Sequence, residues 1–171
     1  MKKTIGLAAV LLFTASAAFA GTAIGSMNVS ATVVADCNVN SVGAMAFGTT
    51  LGLGFTIGST NATASAVINY TCTNTGATAP HIRLGQGANP DTGSSDTAPL
   101  RRMKDAGTNY ISYALFQDLA HATPWNNTTG TGVTGTANGL VQNVTAYGLA
   151  TAPQNVPAGA YTDTVVVSVD F

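Results

Sequence analysis

Apolar and polar residues alternate with a period of two along most of this chain, the pattern of half-buried β-strands. In "GTAIGSMNVSATVVADC" one phase carries Ala23, Gly25, Met27, Val29, Ala31, Val33 and Ala35. The other phase carries Thr22, Ile24, Ser26, Asn28, Ser30 and Thr32, so a long strand is predicted from residue 21 onward. "LGLGFTI" puts Leu51, Leu53, Phe55 and Ile57 on one face, and "ASAVINYTC" does the same for Ala64, Ala66, Ile68, Tyr70 and Cys72. "PHIRLG" reads as a short strand. "NYISYALFQD" places Ile111, Tyr113 and Leu115 opposite Ser112, Ala114 and Phe116. "LVQNVTAYGLA" follows, and the chain closes on Val165, Val167, Val169 and Phe171 in one phase. Between these runs, "GANPDTGSSDTAP" and "HATPWNNTTGTGVTGTANG" carry turn chemistry, the second as a long flexible loop. No stretch reads as a helix. Short strands at this spacing, without a linker, predict a single antiparallel β-sandwich.

The first twenty residues stand apart. Lys2 and Lys3 precede the apolar run "IGLAAVLLFTASAAFA", which ends in Ala18-Phe19-Ala20. A basic start, a short apolar stretch and a small-x-small site predict a signal peptide over 1–20, cut before Gly21. Its removal leaves Arg83, Arg101, Arg102 and Lys104 against seven Asp and no Glu, a net charge of −3. That excludes a cationic surface for nucleic acid or anionic lipid. Charged residues make up 8% of the chain and hydrophobic ones 46%, too apolar for disorder and too poor in Glu and Lys for solvent-exposed helices. In an exported chain Cys37 and Cys72 are expected to pair as one disulfide, contributing about 3–4.5 kcal/mol by loop closure.

Catalytic chemistry is not written here, and the chain is read as a non-enzyme without cofactor or metal. His81 and His121 lie in no metal-ligand spacing, and no Ser sits in a nucleophile elbow. Asp91 and Asp96 form a carboxylate pair, but in a Gly/Ser-rich loop where solvated turn residues are commoner. Arg101, Arg102 and Lys104 read as a solvated strand face. Trp125 reads as packing against the sandwich, with contact to a ligand as the sharper alternative.

The terminal strand raises a question of cover: its apolar face needs a layer and its backbone edge a neighbour. A sandwich lacking its last strand would leave a groove there, which an extended segment of another copy could fill by strand addition. "LRRMKD", "NYISYALFQD", the Trp125 loop, "TAYGLA" and "VPAGAYTDTVVVSVDF" resemble the spore coat protein U domain family. That family includes subunits of Csu-type (archaic) chaperone–usher pili. The most specific parts are Gly159-x-Tyr161-x-Asp163 and Tyr147-Gly148, whereas Asn126 stands where the family commonly has Gly.

The resemblance implies an all-β fold, an incomplete immunoglobulin-like antiparallel sandwich completed by a donated N-terminal strand. It implies a donor extension over 21–30, a pilin domain over 31–171, and residues 31–36 continuing as the domain's first strand. Donor residues would be Ala23, Gly25, Met27, Val29 and Ala31. The acceptor groove would lie beside Val165, Val167, Val169 and Phe171. The implied partners are a periplasmic chaperone, an outer-membrane usher and other copies of the chain. The implied function is a surface pilus subunit in adhesion and biofilm formation, exported through the periplasm to the cell surface. A coat protein or a carbohydrate-binding adhesin is the alternative.

Overall fold

The computed structural model describes residues 20–48, 51–74, 76 and 78–171. The expected signal peptide falls almost wholly outside the described residues. Residues 20–36 carry neither helix nor strand and are exposed throughout. The chain divides after Thr32, and Val33–Phe171 form one unit built of antiparallel sheets.

The first strand, β1, spans Cys37–Val42, and β2 spans Ala62–Cys72. They pair from Cys37 opposite Cys72 to Val42 opposite Ile68, with a register shift between Val39 and Ser41. Further strands are β3 (His81–Leu84), β4 (Arg101–Lys104), β5 (Tyr110–Phe116), β6 (Val133–Thr134), β7 (Val141–Ala150) and β8 (Val167–Asp170). One sheet runs β1-β2-β7-β5-β4 and the other β6-β3-β8. Alternation works as expected in β2 and β5. Ile68, Tyr70 and Cys72 are buried on one face of β2, and Ile111, Tyr113 and Leu115 on one face of β5. With Ile82 and Leu84 of β3 and with Trp125, these faces form one core.

Four expectations are corrected. Residues 51–57 do not form a strand. Leu53–Thr56 make a single helical turn, α1, in which Ile57 and Gly58 donate to the Leu53 carbonyl at 3.0 and 2.9 Å. Apolar residues at 51, 53, 55 and 57 satisfy a period of two and also an i, i+4 spacing. Glycine decides between them: a Cβ on Gly58 would stand 2.6 Å from the Gly54 carbonyl oxygen, so the tight turn requires its absence. Only Phe55 is buried there, while Leu53 and Ile57 are exposed.

Residues 31–36 do not continue as a strand: β1 begins at Cys37, opposite the last residue of β2. Past Cys72, Thr73 N still donates to the Asp36 carbonyl at 2.9 Å, and its hydroxyl, not a backbone N–H, meets the Val34 carbonyl at 3.3 Å. The stretch 121–139 is not simply a flexible loop. It holds β6, which pairs with β3, and the buried Trp125. Finally, the strand β4 carries a buried Arg101 where a solvated face was expected.

Candidate functional site

The site is a groove between two irregular stretches of chain. One wall is built from residues 42–48 and 51–57 and the other runs from 155 to Val167, where β8 begins. Two cavities of ≈ 480 and ≈ 930 Å³ share Met45, Phe47, Met103 and Tyr161, and so form consecutive halves of one trough. Its lining is mostly apolar, with Ile68, Leu84 and Leu115 under the first half and Phe55, Ile111 and Val156 along the second. β8 pairs with β3 on one side only and is the edge of its sheet.

The first wall settles on the sheet because β7 offers it a glycine. Phe47 and Met45 approach Gly148 so closely that any side chain there would collide with them. Phe47 also meets the Tyr113 ring at a centroid distance of 5.6 Å. The second wall is held by polar bonds. Thr162 and Lys104 exchange backbone hydrogen bonds at 2.8 and 2.9 Å, and Tyr161 donates its hydroxyl to the Pro157 carbonyl at 2.8 Å. Asp163 accepts from the Ala88 and Asn89 backbone N–H groups and from the Asn89 side chain through Oδ1. Its Oδ2 accepts from the Tyr113 hydroxyl at 2.6 Å.

Beside Tyr113 on the neighbouring strand lies Arg101, 2% exposed, which donates to the Gly85, Leu84 and Trp125 carbonyls at 2.7, 2.7 and 2.9 Å. Burial pulls its guanidinium down to about 10, with Tyr113 and Asp163 acting in the opposite sense. The side chain therefore stays a cation at neutral pH, with carbonyl dipoles as its partners. Burial, and after it the bond to Asp163, pushes the Tyr113 phenol far up, so it remains a donor. Trp125 is fully buried and donates Nε1–H to the Ile82 carbonyl at 2.8 Å. It packs in the core, as the commoner reading of a lone Trp anticipates, and presents no surface to a ligand.

A Spore Coat Protein U domain profile matches residues 23–168. The chain belongs to the spore coat protein U domain family. Protein U of Myxococcus xanthus is 46% identical over 91 residues, which is 53% of this chain and 51% of that protein. A solved chain of a CsuC–CsuE chaperone–tip adhesion subunit pre-assembly complex, from archaic chaperone–usher Csu pili of Acinetobacter baumannii, is 22% identical with a TM-score of 0.47. That match covers 82% of this chain and 40% of the solved one. The chain thus spans about half the length of its curated relative and less of the solved chain.

In this coat protein U domain the residues singled out from sequence fall in three places. Cys37 and Cys72 are joined, with an S–S distance of 2.02 Å, where β1 begins and β2 ends. Val165 and Val167 line the groove. Val169 pairs with Ile82 and packs on the core, while Phe171 is 52% exposed beyond β8. Ala23, Gly25, Met27, Val29 and Ala31 all lie in the exposed N-terminal segment, with Met27 and Val29 at 87% and 86%. Asp91 pairs with Arg102, and Asp96 accepts from Gln86 and Asn127, so the two carboxylates serve separate loop contacts. Among the described residues no group of His, Cys, Asp and Glu is placed to hold a metal ion. No described helix is long and apolar enough to cross a membrane.

Met45 and Phe47 were not legible as site residues, nor was Arg101 as a buried one. The signal for Arg101 was present: in "RRMK" it shares a phase with Met103, which also packs on the core.

Proposed function

We propose that this protein is a structural subunit of a surface pilus, polymerised when the N-terminal segment of one copy fills the groove of the next. The observation that carries the reading is the long apolar trough running up to the free edge of β8. A trough of this kind offers backbone donors and acceptors on one side and pockets at strand spacing beneath. The segment 21–30 is the chemically matched occupant, since Ala23, Gly25, Met27, Val29 and Ala31 share one face of an extended chain.

The magnitudes are adequate. Burying Met27 and Val29 contributes on the order of 5 kcal/mol, and Ala adds to it. Each strand–strand hydrogen bond adds about 0.5–1.5 kcal/mol before ordering costs are subtracted. A filled groove is therefore long-lived, while an empty one leaves apolar surface in water. Such a subunit needs a periplasmic chaperone to cover the groove and an outer-membrane usher to exchange the cover for a neighbour's segment. Adhesion and biofilm formation then follow from the fibre, displayed at the cell surface after export.

The test is displacement. A synthetic peptide of residues 21–32, added to the purified chaperone–subunit complex, should release the chaperone and take its place. A peptide that leaves the complex intact at any concentration contradicts the reading. The family's description favours a second reading, a spore or cell-surface coat protein. Extraction of the chain from the surface as separate monomers, without strand-linked multimers, would favour that one.

A further inference from the structure

We propose that Asp163 is the positioning residue that sets the width of the groove, holding the 155–166 wall at the spacing an incoming strand needs. The proposal rests on the acceptor reading of the groove. The wall has little structure of its own. Before β8 begins at Val167, its backbone ties to the sheets are the exchange between Thr162 and Lys104 and, at its far end, the Gly85 N–H on the Val166 carbonyl. Asp163 follows Thr162 directly and ties the wall to both sheets at once. Tyr113 belongs to β5 of the five-stranded sheet, whereas Ala88 and Asn89 follow β3 of the other.

The seat of the carboxylate is cut to shape. Gly87 has φ +85°, and a Cβ there would run into the Asp163 side chain. Asp163 receives four hydrogen bonds: Ala88 N at 2.9 Å, Asn89 N at 3.2 Å, Asn89 Nδ2 at 3.1 Å and Tyr113 Oη at 2.6 Å. Three of the four fall on Oδ1 and one on Oδ2, so the carboxylate is spent mainly on holding the wall. Tyr161 and Val165, two residues to either side, share its phase along an extended chain and line the trough. Removing the carboxylate strands the Tyr113 hydroxyl and two backbone N–H groups, which regain partners only if the wall moves.

The experiment follows release of a dye-labelled peptide of residues 21–32 from the full chain, chased with unlabelled peptide, in wild type, D163A, D163N and Y113F. D163A is expected to release it about tenfold faster than wild type. D163N keeps the shape and an acceptor oxygen and should release near the wild-type rate, while Y113F falls between. A role confined to overall stability would instead lower the thermal midpoints without separating the release rates of D163A and D163N. Wild-type release from D163A overturns the proposal. If D163A cannot be recovered folded, Y113F decides, because it keeps the ring against Phe47 and loses only the bond to Asp163; wild-type release there overturns the proposal equally. A wild-type chain that takes no peptide overturns the acceptor reading itself, and this proposal with it.

Discussion

Met45 lies directly over Gly148: a Cβ on that glycine would stand 2.5 Å from the Met45 sulfur. Phe47 Cζ would be 2.7 Å away. β7, flanked by β2 and β5, thus gives up one side chain so that the groove wall can settle on the sheet. G148A should overpack this contact, costing about 1–3 kcal/mol in urea unfolding and loosening the wall. An unchanged midpoint would mean that the wall does not rest there.

Arg101 and Arg102 are adjacent in sequence and opposite in consequence. Arg101 meets three carbonyls in the core, so R101M leaves buried acceptors unmatched and should cost about 3 kcal/mol or more. Arg102 pairs with a half-exposed Asp91 and lies 4.1 Å from the Tyr110 ring centroid, and R102M should stay within about 1 kcal/mol. Denaturant midpoints of the two variants decide the matter. Equal losses would contradict the buried role of Arg101.

Cys37 and Cys72 are separated by 35 positions in sequence. Opening a loop of that size returns entropy to the unfolded chain worth about 4 kcal/mol. The C37S/C72S double variant should unfold at much lower denaturant and be recovered in reduced yield. A midpoint matching the oxidised protein would refute that contribution.

Asp170 anchors the terminal strand to Arg83 on β3. Hydrogen bonding from the Arg83 guanidinium leads the causes that hold its carboxyl below the usual range, with the Gly130 N–H adding to it and burial opposing. A carboxyl depressed in the folded state contributes stability above its unfolded pKa, and loses it as pH falls through the folded value. Stability should therefore decline as pH drops below about 4, and D170N should flatten part of that decline. The check is the urea midpoint measured across the acid range. Identical acid limbs in the two proteins would exclude Asp170 as a source.

Much of the fold was legible, and the failures have physical causes. β2, β5 and the inner face of the core follow from alternation, because one side of each strand is buried and the other solvated. Leu51 to Ile57 alternate equally well, yet glycines at 52, 54 and 58 let the chain coil into one turn. Ala31 to Ala35 keep the strand pattern, yet β2 ends at Cys72 opposite Cys37, so pattern alone did not make a strand. Asp163 was visible as part of a motif, though not its seat on Gly87. A groove beside the last strand was expected, but its second wall was hidden, since the two walls come from stretches near opposite ends of the domain and meet only through tertiary packing. Val165 and Val167 were legible as one wall; Met45 and Phe47, which make the other, were not.

The central claim is that this sandwich borrows a strand from a sibling, and the most direct measurement compares the full chain with one lacking residues 21–30. Both are to be co-expressed with chaperone and usher, and the surface material run unheated in SDS. The account predicts a ladder of SDS-resistant multimers from the full chain and a single monomer band from the deletion. The same ladder from the deletion would contradict it.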